Sequence, residues 1–235
     1  MSPVMKDLKQ VDELVERFIY SCSHELKSPI ASMQGLLEIM KYHPLHSETI
    51  KCIDMMEVCT QRMNKLMQTL EEYMVNAKRE IYLENVRGET LITNVLDQFH
   101  SSLVKQHIQV KTVIQQNASW VTDARRVNLV LSSLVANALA FQDPDKKEKK
   151  VLIRLNIAPH RSLLEVADNG IGIPKNIQPK IFDLFYRGHG QSQGSGLGLF
   201  LVQNIASKMK SKVKIKSTEK VGTSFKITSP NYQLK

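Results

Sequence analysis

Apolar residues in the first third of the chain fall at Val11, Val15, Phe18 and Cys22, then at Leu26, Ile30, Met33, Leu37 and Met40. Steps of three and four mark one face of a helix that packs against others. A run of steps of four around Cys22 and Leu26 leaves a local irregularity in that seam. Tyr42-His43-Pro44-Leu45-His46 then breaks the pattern, and Ser47 is a candidate N-cap. A second helix follows through Ile53, Met56, Thr60, Met63, Met67, Leu70 and Met74, in alternating threes and fours. Two long helices with one seam each form a hairpin with little core of its own, and dimerising into a four-helix bundle buries both seams. A plain dimerisation coiled coil would show the same seam.

Between Lys78 and Gly88 the heptads stop. Ile108 to Ile114, Val151 to Ile157 and Lys212 to Ile215 are rich in β-branched residues, and Leu163 to Ala167 reads as another strand, ending in Asp168. Helical runs alternate with them at Arg125 to Phe141 and Leu199 to Met209. The expected fold class is α plus α/β: a helical hairpin over 1–80, then an α/β sandwich over 86–235 with helices on one face of a sheet.

His24 lies two residues past the seam position Cys22, which puts it roughly opposite the seam, toward solvent. Glu25 follows it, and Ser28-Pro29 comes within the next turn and a half. Proline inside a helix removes one hydrogen bond and clashes with the carbonyl four residues back, here that of Glu25, so the helix is expected to bend or loosen there. A nucleophilic imidazole must shed a proton, and an adjacent carboxylate is the natural base. Alone, a histidine on a helix is ordinary surface.

Ser23-His24-Glu25-Leu26-Lys27-Ser28-Pro29 closely resembles the phospho-acceptor box of sensor histidine kinases. That resemblance implies His24 as the autophosphorylated residue and Glu25 as general base. It also implies a phosphatase role for Ser28, where the family often carries threonine or asparagine.

In the second half, Asp168-Asn169-Gly170-Ile171-Gly172-Ile173-Pro174 follows a strand, and Gly194-Ser195-Gly196-Leu197-Gly198 precedes an apolar helix. Glycines whose N–H groups converge near a helix N-terminus make a phosphate cradle. The pattern is neither a Rossmann fingerprint nor a Walker loop. Asn137, the DNGIGIP segment, Ile181-Phe182-Asp183-Leu184-Phe185-Tyr186-Arg187, GSGLGL and Gly222-Thr223-Ser224-Phe225 resemble, in order, the boxes of the histidine-kinase ATP-binding domain. With the His24 box the resemblance runs from about Leu8 to Ile227.

The resemblance implies a Bergerat-type domain that binds ATP and Mg²⁺. Asn137 would hold the metal, and Asp168 would read the adenine amine beside Gly170 and Gly172. Gly194, Ser195, Gly196, Leu197, Gly198 and Thr223 would line the nucleotide under a lid at about Gly188 to Gln193. Phe182 and Phe185 would anchor that lid or belong to the core, and Arg187 would reach the phosphates or cap it. Two departures stand out: Ser133 replaces the family's first asparagine, and Ala140 replaces its phosphate-facing lysine. Arg187 or a loop lysine near Lys146 would have to substitute; failing that, the chain is an ATP-binding but catalytically degenerate scaffold or a phosphatase. The implied partners are a second copy of the chain and the receiver domain of a response regulator, whose aspartate takes the phosphoryl group.

Composition narrows this little further. The net charge of +9 is scattered, and its one dense run, Lys146 to Lys150, is interrupted by Glu148 and follows Asp143-Pro144-Asp145, as in a solvated loop. With no aromatic residues interleaved, it argues against nucleic acid. Cys22, Cys52 and Cys59 form no CxxC pair; Cys22 and Cys59 fall on or beside apolar helix positions, so buried, inert thiols in a reducing cytoplasm are expected. No stretch approaches the ~20 apolar residues of a membrane helix, and MSPVMKDLKQ lacks a signal-peptide core. Any membrane attachment would therefore come through a preceding part.

Overall fold

The computed structural model describes residues 25, 28–29, 31–33, 35–36, 39–40, 47–188 and 196–233. His24, and Gly194 and Ser195 of the glycine loop, lie outside the described residues. By compactness the chain divides into two units, Met1–Glu71 and Glu72–Lys235.

In the first unit every described residue between 25 and 40 is helical, Ser28 and Pro29 included. The Ser32 hydroxyl donates to the Ser28 carbonyl at 3.0 Å. A second helix, α1, spans Ser47–Lys78. Its inward stripe is displaced from the expected seam: Cys52 and Leu66, two heptads apart, are buried and Cys59 between them is half-buried. Ile53, an expected seam position, stays exposed, as do Ile50, Met55 and Val58. A single hairpin has room to cover one narrow stripe of each helix, so the rest of the apolar surface faces outward.

The second unit is built on a five-stranded sheet in the order β2-β4-β5-β7-β6, formed by Ile108–Gln116, Lys149–Ile157, Arg161–Asp168, Gly222–Pro230 and Lys212–Thr218. β2 and β4 run parallel and the other pairs antiparallel. A short antiparallel pair, β1 (Glu84–Val86) and β3 (Trp120–Thr122), lies apart from it. One sheet face carries Ile153, Leu155, Leu164, Val166, Phe225 and Ile227 into the core. Against it pack α2 (Gly88–Gln98), α4 (Ala124–Ala140) and α5 (Gly198–Lys208), while α3 (His100–Lys105) buries no residue. The opposite face is polar, with Arg154, Glu165 and Lys226 aligned across three strands and Arg154 Nη1 donating to Glu165 at 2.6 Å.

The end of α1 belongs to this unit through two cations. Arg126, in the first turn of α4, is 2% exposed. Its Nε donates to Asn76 Oδ1 at 2.7 Å, and Nη2 donates to the carbonyls of Asn76 (3.2 Å) and Arg79 (2.5 Å). Its Nη1 donates to the Glu80 carbonyl at 3.0 Å and to the Asp123 carboxylate. All five guanidinium donors are thus used. Asp123 also caps α4 through Arg126 N and accepts from Tyr82 N at 3.1 Å. Lys208, at the far end of α5, donates to the carbonyls of Asn76 (2.7 Å) and Ala77 (2.8 Å). Cations are the natural partners of the unpaired carbonyls and negative dipole at a helix C-terminus. Tyr73 adds an apolar tie, its ring 5.4 Å from that of Phe200 on α5.

Removing one partner of a buried ion pair leaves the other uncompensated. Arg126→Met is expected to destabilise the second unit by about 3–5 kcal/mol, and Lys208→Met by about 1 kcal/mol. Urea unfolding followed by the fluorescence of Trp120, the single tryptophan and 2% exposed, measures both; a loss below 1 kcal/mol for Arg126→Met would show that the pair is not a structural anchor.

Candidate nucleotide site

Sheet register places the site. On the core-facing side, β5 reads Leu164, Val166, Asp168; β7 reads Ile227, Phe225, Thr223; β6 reads Val213, Ile215, Ser217. Asp168 pairs with Thr223 and Thr223 with Ser217, so the apolar rows of three neighbouring strands all turn polar at one end, in one row. The Ser217 hydroxyl lies 2.9 Å from that of Thr223, donates to the Gly222 carbonyl at 3.1 Å and accepts from Ile173 N at 2.8 Å. Gln178 holds the same turn by donating to the carbonyls of Ile173 (2.8 Å) and Ser217 (3.2 Å).

The Asp168 carboxylate accepts from Gly170 N at 2.8 Å. Burial lifts its pKa from 3.8 to about 6, against the opposing pull of the Gly170 and Thr223 N–H groups and the Lys146 charge. Gly170 is required where it stands, since a β-carbon there would collide with the Phe141 carbonyl oxygen at the end of α4. Ile171 N donates to that same carbonyl at 3.0 Å. The Asp168 turn therefore sits on the last turn of α4, which carries Asn137. Asn137 is half-buried, and its carboxamide has no hydrogen-bond partner among the described residues.

One turn earlier on α4, Ser133 faces Gly198 at the start of α5, with 3.9 Å between its Cβ and a β-carbon placed on the glycine. Gly196 adopts φ +70°, and a β-carbon there would come within 2.6 Å of the Phe185 carbonyl carbon, so this close approach demands glycine. Leu197 between them is buried, leaving only its backbone to face a ligand. Gly172 packs against Thr218, and Thr223 is buried within the polar row.

The structure thus brings Asn137, Asp168, Gly170, Gly196, Gly198 and Thr223 to one end of the sheet. Of the two aromatic candidates, Phe182 packs edge-on against Phe225, with ring centres 6.4 Å apart, as a core residue. Arg187 is exposed. Two expectations need correction. Lys146 is not a solvated loop lysine, because its ammonium donates to the carbonyls of Asn169, Gly170 and Val221. The same three bonds leave it no donor to spare as the replacement for the missing phosphate lysine. Ala140 itself is exposed. Sequence reasoning missed Ser217 and Gln178; the signal for Ser217 was a polar residue in the apolar phase of its strand.

The model of the histidine kinase-, DNA gyrase B- and HSP90-like ATPases matches residues 122–233. The His Kinase A (phospho-acceptor) domain matches residues 14–74, ahead of it. The chain thus carries, in this order, the phospho-acceptor and ATPase domains of the histidine kinases. It is 25% identical over 230 residues to the heme sensor protein HssS of Staphylococcus haemolyticus, a match covering 96% of this chain and 49% of that protein. It is 26% identical over 234 residues to the signal transduction histidine-protein kinase ArlS of Staphylococcus aureus, covering 95% and 51%. The chain spans about half the length of these relatives. The fold is that of histidine kinase ThkA solved in complex with response regulator protein TrrA, with a TM-score of 0.70 at 22% identity over 97% of this chain and 64% of that one.

The raised Asp168 pKa has a thermodynamic sign. Its stabilising share is intact below 3.8 and is lost as pH rises through about 6, because folding then buries an ionised carboxylate. Asp168→Asn keeps an acceptor for Gly170 N and carries no charge. It is expected to stabilise the ligand-free protein on the order of 2 kcal/mol at pH 8, with the gain vanishing near pH 4. Urea midpoints at the two pH values test this; an equal effect at both contradicts the assignment.

Proposed function

We propose that this chain binds Mg-ATP at the Asp168 end of the sheet and uses it to phosphorylate His24. The phosphoryl group then passes to an aspartate on the receiver domain of a response regulator. The observation that carries this reading is the convergence on α4 of Asn137, the Asp168 turn and the glycines that open α5. Asp168, a half-buried acceptor at the polar end of three apolar rows, suits the exocyclic amine of adenine. Gly170 and Gly172 let the turn pack on the Phe141 and Thr218 carbonyls and so shape the proposed base site, and the Gly196–Gly198 backbone at a helix start suits phosphate oxygens. Gly194, Ser195 and Arg187 are proposed to extend that cradle.

The carboxamide of Asn137, unpartnered among the described residues, offers a hard oxygen ligand of the kind Mg²⁺ takes. When bound, the ion would neutralise charge on the phosphates. The chain's own part is to hold the γ-phosphoryl in line with His24. An imidazole nitrogen bonds to the γ-phosphorus as the bond to the β,γ-bridging oxygen breaks and ADP leaves; the imidazole proton passes to Glu25. The phosphorus–nitrogen bond is broken in turn by the partner's carboxylate oxygen. Ser28, exposed on its helix, is proposed to orient the water that hydrolyses the phosphoaspartate of the partner, freeing its carboxylate and releasing inorganic phosphate.

The apolar residues left exposed on α1 support a homodimer that buries them. No helix among the described residues is long and apolar enough to cross a membrane. A need for ATP and the absence of a disulfide between the described cysteines suit the cytoplasmic side of a longer sensor. With Lys146 committed elsewhere and Ala140 in place of lysine, one charge-assisted phosphate contact is missing, so ATP is expected to bind weakly rather than not at all.

Incubation with γ-labelled ATP and Mg²⁺ should give acid-labile, alkali-stable label on the protein, absent in His24→Gln and Asp168→Ala. Nucleotide binding without label would sink the kinase reading in favour of a degenerate scaffold. Ala140→Lys, at an exposed helix position, should tighten ATP binding roughly tenfold by calorimetry. An unchanged Kd would mean the phosphates lie elsewhere.

A further inference from the structure

Asp143-Pro144-Asp145-Lys146 is a turn in which each residue type has a reason. Pro144 suits the second position, Asp145 N donates to Asp143 Oδ1 at 3.0 Å, and Lys146 N donates to the Asp143 carbonyl at 3.3 Å. The turn delivers the Lys146 side chain behind the Asp168 turn. There the ammonium donates to the carbonyls of Asn169 (2.5 Å), Gly170 (3.4 Å) and Val221 (3.0 Å). An ammonium has three protons, and all three are used. The acceptors come from two separate stretches, the Asp168–Gly170 turn and the loop between β6 and β7. These two must meet for Asp168 to face Thr223. Asn169 ties the same turn to the start of β4, accepting from Lys150 N and donating to the Glu148 carbonyl, both at 2.8 Å.

We propose that Lys146 is a positioning residue for nucleotide recognition: its ammonium locks the Asp168 turn to the β6–β7 loop and sets a positive charge behind the carboxylate. The proposal rests on the nucleotide-binding reading above and adds to it a residue that touches neither base nor phosphate. The groups around Asp168 leave this role to Lys146 among the charges. Val151 faces it from β4, Thr223 from β7, Ser217 lies beyond in the same row, and Gly170 closes the turn; none of these is ionised. Among the described residues Lys146 is the cation that bears on Asp168, and its charge holds down a proton affinity that burial raises. A mere loop staple would secure the backbone without influencing how Asp168 titrates.

The test is the affinity of the whole chain for a non-hydrolysable ATP analogue from pH 5.5 to 8.5, for the wild type, Lys146→Met and Lys146→Arg. Lys146→Met should weaken binding roughly fivefold at pH 7 and move upward the pH at which acidification abolishes it. Lys146→Arg, keeping charge and donors, should restore the wild-type midpoint. An unmoved midpoint in Lys146→Met, whatever its affinity, overturns the inference, as does failure of the arginine variant to recover it. A wild-type chain that binds no nucleotide at any pH overturns the nucleotide reading itself, and this inference with it.

Discussion

A guanidinium sealed from water is tolerated only when every donor finds an acceptor, and Arg126 meets that condition with groups drawn from three places. One is the Asp123 carboxylate at the start of its own helix. The others are the closing turn of α1 and the linker carbonyls that follow it. No rearrangement of the linker leaves Arg126 satisfied unless those carbonyls move with it. The path of the chain from Asn76 to Tyr82 is therefore dictated by one side chain. Lys208 repeats the device from α5. Both helices that border the candidate site are thus held at their far ends by carbonyls of residues 76–80, that of Asn76 accepting from both cations. α4 leads from Arg126 to Asn137, and α5 from Lys208 back to Gly198.

The site itself is a place where the core was made worse. Continuing the apolar rows of β5, β7 and β6 by one more residue would have given a simple hydrophobic edge. Instead Asp168, Thr223 and Ser217 occupy that row, and the carboxylate is held where ionisation costs stability. Such a group is a candidate for function, since burial penalises its charge more than its two backbone hydrogen bonds repay. The hydroxyls of Thr223 and Ser217 satisfy one another and nearby backbone.

Much of this was legible beforehand, for identifiable reasons. The heptads of α1, the β-branched runs of β2, β4 and β6, and the helical period of α4 are each set by local burial, and local burial leaves a periodic trace. Glycine boxes are legible because close backbone approach admits no other residue, as Gly170 and Gly196 show. What escaped depended on partners distant in sequence. α2 starts at Gly88, which reads as a break, and β7 was visible only as a motif. The inward stripe of Cys52 and Leu66 could not be told from the neighbouring stripe of Ile53, since both are apolar at heptad spacing. Lys146 looked like solvent-exposed charge because its acceptors are backbone carbonyls, which carry no residue-type signature.

The pairing of Asp168 with Thr223 has a consequence for how the protein comes into being. Strands β4 and β5 form a local hairpin, as do β6 and β7, and such hairpins close within microseconds. Joining the two hairpins through β5 and β7 brings together segments more than fifty residues apart along the chain. The polar row does not exist until that long-range step is complete. Nucleotide can therefore stabilise the finished sheet but not the hairpins that precede it. During synthesis the chain cannot complete this polar row until β7 has left the ribosome.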